Sequence, residues 1–206
     1  MKQASWLELE ALQCERDDRL LFSGLSLAAG PGELWQVAGP NGAGKSTLLR
    51  ILVGLYGFFE GRVHWQTPDA GRDSLAFIGH RSGLREELTA GENLAWLCSL
   101  NVQSAAGIEA ALAQVGMAGY EDVPVGQMSA GQQRRVALAR LWLPGKPVWV
   151  LDEPFTALDS DGVALLESRL REHAAGGGLV IYSSHHRLAD DVRQVLLGRG
   201  PGEVRA

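Results

Sequence analysis

The sequence predicts an α/β fold in which helices cover a parallel core sheet. Short apolar runs such as Val148 to Leu151 and Leu179 to Ser183 alternate with helical patterns, an arrangement typical of parallel strands buried on both faces. An all-helical stretch between Thr89 and Pro144 interrupts this alternation, which indicates a lobe inserted into the core. We expect a single domain over 1–206, with 1–88 and 145–206 forming the α/β core and 89–144 forming the helical lobe.

The elements of the N-terminal part follow from apolar patterning. Alternation of apolar and polar residues from Trp6 to Leu12 predicts an antiparallel edge strand. Glu33 to Ala38 predicts a strand that runs into a glycine-rich turn and then into a helix from Lys45 to Val53. Two further short strands are predicted at Gly61 to Trp65 and at Leu75 to Gly79.

The lobe is predicted to contain three helices. Thr89 to Glu92 has the T-x-x-E form of a capping box and predicts a helix from about Ala90 to Leu100. A second helix is predicted from about Ser104 to Met117, and we interpret its apolar stripe as core packing rather than a groove for a partner. A third follows Ser129 and is stopped by Pro144.

The C-terminal part is predicted to return to the α/β pattern. A helix from Asp159 to His173 separates the two most apolar strands. From Gly198 onward the chain is rich in glycine and proline, and we expect a loose tail.

Composition excludes several classes of protein. The net charge of −5 and the absence of a basic tract disfavour a protein that binds nucleic acid by neutralising phosphates. Cys14 and Cys98 are isolated from each other, which predicts two free thiols and no disulfide framework or CxxC site. The first ten residues lack an apolar signal segment, and no apolar run approaches the ~18 residues that span a bilayer. Any tie to a membrane is therefore expected to come through a partner.

A glycine-rich turn carries the strongest chemical signal. The segment 39–47 fits G-x-x-x-x-G-K-[ST] between a predicted strand and a helix: Gly39, Pro40, Asn41, Gly42, Ala43, Gly44, Lys45, Ser46 and Thr47. Consecutive backbone N–H groups and a helix N-terminus can converge there on phosphate oxygens. We expect Lys45 to bridge the β- and γ-phosphates and Ser46 to coordinate Mg²⁺.

Two carboxylates end the apolar strand from Val148. Asp152 is expected to hold Mg²⁺ through water, and Glu153 is expected to act as general base on the water that attacks the γ-phosphate. Taken alone, the pair would also fit a solvated acidic turn after a core strand. A phosphate-binding loop in the same sheet favours the catalytic interpretation.

A small-residue segment opens the third lobe helix. Ser129, Ala130, Gly131 and Gln132 combine a hydroxyl, a glycine and a helix N-terminus, which together can bind phosphate. The same residues taken alone fit an ordinary N-cap, with the following arginines on a solvated face.

These three features, in this order, resemble the nucleotide-binding subunits of ATP-binding cassette (ABC) transporters over nearly the whole chain. The resemblance implies a P-loop NTPase fold and a head-to-tail homodimer. ATP on one chain would be covered by Ser129, Gly131 and Gln132 of the other. The loop after the carboxylates is matched by Asp159, and the histidine that contacts the γ-phosphate is matched by His185. The family's L-S-G-G-Q signature reads M-S-A-G-Q here.

A narrower resemblance points to the ATP-binding export proteins of cytochrome c biogenesis. It is carried by Ser129 to Leu143, Leu151 to Ala157, Cys14 to Asp17 and Gly79-His80. It implies a motor at the cytoplasmic face of the bacterial inner membrane that works with integral membrane subunits on haem. The haem link comes from the resemblance alone, since the chain carries no haem-ligating motif.

Two positions depart from the general family pattern. Arg16 stands where an aromatic residue usually stacks on adenine, and its guanidinium plane can also stack on a base. His80 or Arg81 replaces the usual glutamine, and the sequence favours a functional role and an exposed polar turn equally at this position. A cassette ATPase acting on DNA or ribosomes is disfavoured because basic arms and a coiled-coil insertion are absent. An ATP sensor without turnover is an alternative that Arg16 and Arg81 suggest and that Glu153 and His185 argue against, and the subunit of another ABC transporter is a second alternative.

Overall fold

The computed structural model describes residues 5–67, 74–100, 106–186, 188, 192–198 and 203–205. Its strands are β1 (Leu7–Arg16), β2 (Arg19–Ala29), β3 (Leu34–Ala38), β4 (Glu60–Trp65), β5 (Leu75–Ile78), β6 (Val148–Asp152), β7 (Leu179–Ser183), β8 (Arg193–Leu196) and β9 (Glu203–Arg205). Its α-helices are α1 (Lys45–Leu52), α2 (Ala90–Leu100), α3 (Ile108–Gln114), α4 (Ala130–Ala139) and α5 (Ser160–Ala175). Short 3-10 helices occupy Val125–Gln127 and Arg140–Trp142.

The strands form two sheets. The larger has the order β5-β6-β7-β3-β8-β9, with β6, β7, β3 and β8 parallel and β9 antiparallel to β8. The smaller is antiparallel, with the order β2-β1-β4. Parallel strands buried on both faces read as continuous apolar runs, and every residue of β6 and β7 is buried. The α/β class with an antiparallel sheet is confirmed.

The chain divides into two compact units. The first comprises Met1–Phe77, Lys146–Glu153 and Leu170–Ala206, and the second comprises Ile78–Gly145 and Pro154–Arg169. The core of the first unit combines apolar residues of both sheets and α1, with Leu12, Phe22, Leu49 and Val150 fully buried. The second unit has its own apolar cluster. The expected limits of core and lobe stay a prediction.

The helices of the second unit have the expected local signals. Thr89 and Glu92 form the capping box before α2: the Thr89 N–H donates to the Glu92 carboxylate at 2.9 Å, and the Glu92 N–H donates to the Thr89 hydroxyl at 3.2 Å. The apolar stripe of the next helix packs inward, since Leu112 is fully buried in the cluster of this unit. Within the described residues this helix spans Ile108–Gln114, and its predicted start at Ser104 lies outside them.

One strand was not predicted, and one expectation was wrong. No strand was predicted over β2, whose apolar alternation is interrupted at Ser23-Gly24; antiparallel pairing with β1, in which Leu7 lies opposite Ala29, makes this segment a strand. The tail was expected to be loose, but Glu203–Arg205 pairs with β8. Both strands depend on pairing with a neighbour rather than on their own sequence pattern.

A tight hairpin joins β1 to β2. Asp17 and Asp18 both have positive φ, 52° and 57°, as a two-residue type I′ turn requires, and aspartate tolerates this conformation better than most residues do. The turn places Arg16 and Arg19 opposite each other at its base. Among the helices that the structure describes, none has the length and hydrophobicity of a membrane span.

Candidate functional site

The glycine-rich loop joins β3 to α1 in the first unit. Gly39 has φ 145°, and a Cβ there would lie 2.3 Å from the carbonyl oxygen of Leu197. Gly44, which precedes α1, has φ 97° and the left-handed conformation. Both positions therefore require glycine, and they let the chain turn sharply from the sheet into the N-terminus of α1.

Lys45 folds back over this loop. Its Nζ donates to the carbonyl oxygens of Gly39 at 2.8 Å and Pro40 at 3.4 Å, and only 8% of the residue is exposed. A largely buried ammonium is thus held against backbone carbonyls. Phosphate oxygens would be stronger acceptors for the same donors, because they carry charge.

Asp152, at the carboxyl end of β6, meets the first turn of α1. It is fully buried, and its Oδ1 accepts hydrogen bonds from the hydroxyls of Ser46 at 2.9 Å and Ser183 at 2.7 Å. Ser46 and Asp152 were both expected to bind Mg²⁺, and the structure brings them into contact. Hydroxyl and carboxylate oxygens are the ligands Mg²⁺ prefers, so these two residues fit that ion.

Glu153 and His185 lie on the same side of the loop. His185 Nε2 is 3.9 Å from Glu153 Oε1, 3.4 Å from Lys45 Nζ and 3.0 Å from Asn41 Oδ1. The imidazole therefore touches the loop and the carboxylate together. Three separate parts of the sequence, which contain residues 41 and 45, residue 153 and residue 185, thus form one cluster at the carboxyl ends of the parallel strands, where open α/β sheets bind their ligands.

The segment Ser129–Gln132 lies in the second unit, at the start of α4. Ser129 and Gln132 form a capping box: the Ser129 N–H donates to Gln132 Oε1 at 2.9 Å, and the Gln132 N–H donates to Ser129 Oγ at 3.3 Å. At Gly131 a Cβ would lie 3.0 Å from the carbonyl oxygen of Ala157, which is tighter than most side chains tolerate. The ordinary N-cap role is thus present, and the expected contact with a twin chain stays a prediction.

Asp159 is tied within the second unit. Its Oδ1 accepts from the Gly162 N–H at 2.9 Å and makes a short ion pair with the Arg135 guanidinium. The backbone N–H of Gly162, followed by the charge of Arg135, lowers the pKa of Asp159 below its ordinary value. Arg135 also donates to the carbonyl oxygen of Val115 at 2.7 Å, so it connects the loop of Asp159 to the helices of the lobe.

Comparisons with known proteins agree with this arrangement. The family described as "ABC transporter" matches residues 22–156. The cytochrome c biogenesis ATP-binding export protein CcmA of Alcanivorax borkumensis is 56% identical over 201 residues, which is 98% of this chain and 92% of that protein. The chain belongs to the ABC transporter ATPases, among the CcmA-type export proteins.

Solved structures of this family share the fold. A structure described as an ATP binding subunit of an ABC transporter superposes with a TM-score of 0.83 at 25% identity and covers 97% of this chain and 90% of its own. A bacterial Atm1-family ABC exporter with ATP bound also gives a TM-score of 0.83 at 25% identity. That match covers 98% of this chain and 39% of the exporter chain. The P-loop ABC ATPase fold is therefore confirmed.

Arg16, which was expected at the position of the family's adenine-stacking aromatic, lies at the end of β1, and its role stays a prediction. Its side chain is 53% exposed, and its Nε lies 3.4 Å from the carboxylate of Asp17. Sequence analysis missed the neighbouring arginine. The guanidinium of Arg19 approaches the P-loop, with Nη1 3.5 Å from the point where a Cβ on Gly42 would lie. Within the described part of the chain, no ion pair or hydrogen bond of this guanidinium is found.

The second departure, His80-Arg81, lies in the second unit. Both residues line a groove of about 570 Å³ together with Gln133, Arg134 and Thr156. Arg134 is buried there and donates to the carbonyl oxygens of Gly79 at 3.2 Å and Pro154 at 3.2 Å. The Arg134 side chain of α4 therefore holds the backbone next to His80 through the Gly79 carbonyl, a contact that does not depend on the side chains of positions 80 and 81.

A further residue of the cluster was missed by sequence analysis. Ser183 ends β7 and contacts both the side chain of Asp152 and the backbone of Glu153. Its position as the last residue of an apolar strand is the one signal that could have singled it out. The parallel register, which pairs Asp152 with Ser183, is visible only once the sheet is formed.

Proposed function

We propose that this chain is the ATP-hydrolysing motor subunit of a bacterial inner-membrane ABC complex for c-type cytochrome biogenesis. It would couple hydrolysis to haem export or to the release of a haem-loaded chaperone. The clustering of Lys45, Ser46, Asp152, Glu153 and His185 carries the ATPase part of this proposal. The CcmA relative carries the cytochrome c part.

The P-loop binds ATP. Backbone N–H groups of the loop and of the first turn of α1 face the phosphates, and Lys45 exchanges its carbonyl acceptors for phosphate oxygens. Arg19 adds a second cation beside Gly42. Ser46 and Asp152 are the residues that would hold Mg²⁺, which when bound neutralises charge on the phosphates.

Hydrolysis uses Glu153 and His185. The Glu153 carboxylate accepts a proton from water as the water oxygen bonds to the γ-phosphorus, and the bond from that phosphorus to the β–γ bridging oxygen breaks, leaving ADP and phosphate. His185, whose Nε2 is 3.9 Å from the Glu153 carboxylate, orients that carboxylate and contacts the γ-phosphate. Asn41 supports the imidazole through its 3.0 Å contact.

Two copies of the chain form the ATP-bound state. Ser129, Ala130, Gly131 and Gln132 of one chain complete the site of the other, with Asp159 in the loop beside them. Binding of two triphosphates closes the pair and hydrolysis releases it, which moves the integral membrane subunits between conformations. The motor attaches peripherally to the cytoplasmic face of the membrane through those subunits.

The decisive variant is Glu153→Gln, measured as ATP hydrolysis by the chain assembled with its membrane subunits. We expect turnover to fall at least about 100-fold while ATP binding and ATP-dependent dimerisation persist, because the amide cannot accept the proton. Wild-type hydrolysis no higher than that of Glu153→Gln would contradict the motor and favour an ATP sensor. Normal turnover without any effect on cytochrome c maturation in cells would instead favour another ABC transporter.

A further inference from the structure

Glu153 has an unusual backbone conformation for a residue with a side chain. Its φ is 49°, in the left-handed region that non-glycine residues rarely adopt. Such a conformation persists only where the surroundings hold it, and it is found preferentially at functional sites. The groups that hold Glu153 in place therefore bear directly on where its carboxylate points.

Ser183 supplies those groups. The backbone N–H of Glu153 donates to the Ser183 carbonyl at 3.1 Å and to the Ser183 hydroxyl at 2.9 Å. The carbonyl contact continues the pairing of β6 with β7, which any residue at position 183 could make. The hydroxyl contact needs serine or threonine.

The same hydroxyl also holds Asp152. It donates its proton to Asp152 Oδ1 at 2.7 Å while accepting from the Glu153 N–H, so its donor and one acceptor site are both used. Ser183 and Asp152 are both fully buried, and water cannot replace the bond without local opening. Asp152 Oδ1 also accepts from Ser46 at 2.9 Å.

We propose that Ser183 is a positioning residue that sets the two carboxylates of the site with one hydroxyl. It turns Asp152 toward Ser46, and it stabilises the left-handed backbone that aims Glu153. The effect on turnover rests on the ATP hydrolysis proposed above, whereas the effect on the Glu153 backbone does not.

The test compares Ser183→Ala, Ser183→Cys and Ser183→Thr in the full chain, with Ser74→Ala as a control at another fully buried serine. Alanine lacks the hydroxyl, cysteine keeps the shape with a weak donor, and threonine keeps the hydroxyl. In the chain assembled with its membrane subunits, we expect kcat to fall about 10- to 100-fold in the alanine and cysteine variants. The KM for ATP should stay within about threefold of wild type, because Lys45 and its contacts in the glycine-rich loop do not involve Ser183. Threonine should restore kcat.

A second measurement needs no turnover. Amide hydrogen exchange of the nucleotide-free chain should show the Glu153 N–H losing protection by about tenfold or more in the alanine and cysteine variants and keeping it in the threonine variant. Unchanged kcat in a folded alanine variant, or an equal loss of kcat in Ser74→Ala, would overturn the positioning role. Unchanged protection of the Glu153 N–H would overturn it as well. If wild type hydrolyses no ATP but the exchange pattern appears, the proposed motor function fails and the backbone role of Ser183 stands.

Discussion

Lys45→Met tests the phosphate-binding loop most directly. The methionine keeps most of the buried apolar stem and removes the ammonium, so the fold should change little. In the structure this ammonium donates to the Gly39 and Pro40 carbonyl oxygens, and both donors become available to phosphate oxygens when ATP binds. The substitution therefore removes two charge-assisted hydrogen bonds from the bound state.

The expected loss follows from those two bonds. Hydrogen bonds involving a charged group contribute about 1.5–3 kcal/mol each, and the free state already makes two weaker ones to carbonyls. A net loss of about 3 kcal/mol corresponds to an increase of about 150-fold in the Kd for ATP. Exposure does not reduce this value much, because only 8% of Lys45 is exposed.

The assay is equilibrium binding of ATP by calorimetry, with thermal unfolding measured alongside. Lys146→Met is the matched control, since Lys146 precedes β6 and so lies at the opposite end of that strand from Asp152. It should bind ATP as wild type does. A Kd for Lys45→Met within about threefold of wild type would remove Lys45 from the site and refute the reasoning on which the nucleotide proposal depends.

Three further predictions concern charge and backbone strain. Arg19→Gln should weaken ATP binding by about fivefold, and AMP binding less, because one exposed cation near the phosphates is lost. The control is Arg62→Gln, which changes an exposed arginine on β4 and should bind ATP as wild type does. An equal loss of affinity in that control would indicate a general charge effect. Asp159→Asn should lower the urea midpoint at pH 7. The Gly162 N–H and then the Arg135 guanidinium hold the pKa of Asp159 below its ordinary value, so the charged carboxylate stabilises the fold at and above that ordinary value. The difference in urea midpoint between the two proteins should shrink as the pH falls through the lowered pKa; a constant difference would exclude the charge as its cause. Gly61→Ala should cost about 3 kcal/mol or more in the free energy of unfolding, because a Cβ would lie 2.5 Å from the Glu10 carbonyl oxygen at φ 90°; an unchanged melting temperature would contradict this.

The local chemistry of the candidate site could be predicted from short stretches of sequence. The segment from Gly39 to Thr47 contains its own glycines, lysine and hydroxyl, and the geometry of the turn follows from residues adjacent in the chain. Asp152 and Glu153 end an apolar run, which marks the carboxyl end of a buried strand. The capping boxes before α2 and α4 are likewise local, since each involves residues three apart.

Strands that depend on a partner were harder to predict. A strand makes no hydrogen bonds within itself, so β2 and β9 exist because β1 and β8 offer them a ladder. The sequence of β2 contains a glycine at its centre, and that of β9 follows a glycine-rich stretch, so neither segment has the alternation that marks a strand.

The chain's own sequence determined the α/β class, the phosphate-binding turn and the carboxylate pair, because each depends on residues that are neighbours in the chain. Steric limits on the backbone and the spacing of apolar residues set the conformations of those residues. Only the tertiary structure decided that Ser183 bridges Asp152 and Glu153, and that the guanidinium of Arg19 approaches the loop at Gly42. Those contacts join residues far apart in the chain. Their distances depend on the strand register and on the placement of the hairpin. Both arise from packing of the whole sheet, and neither produces a spacing of residue types that can be recognised in the sequence.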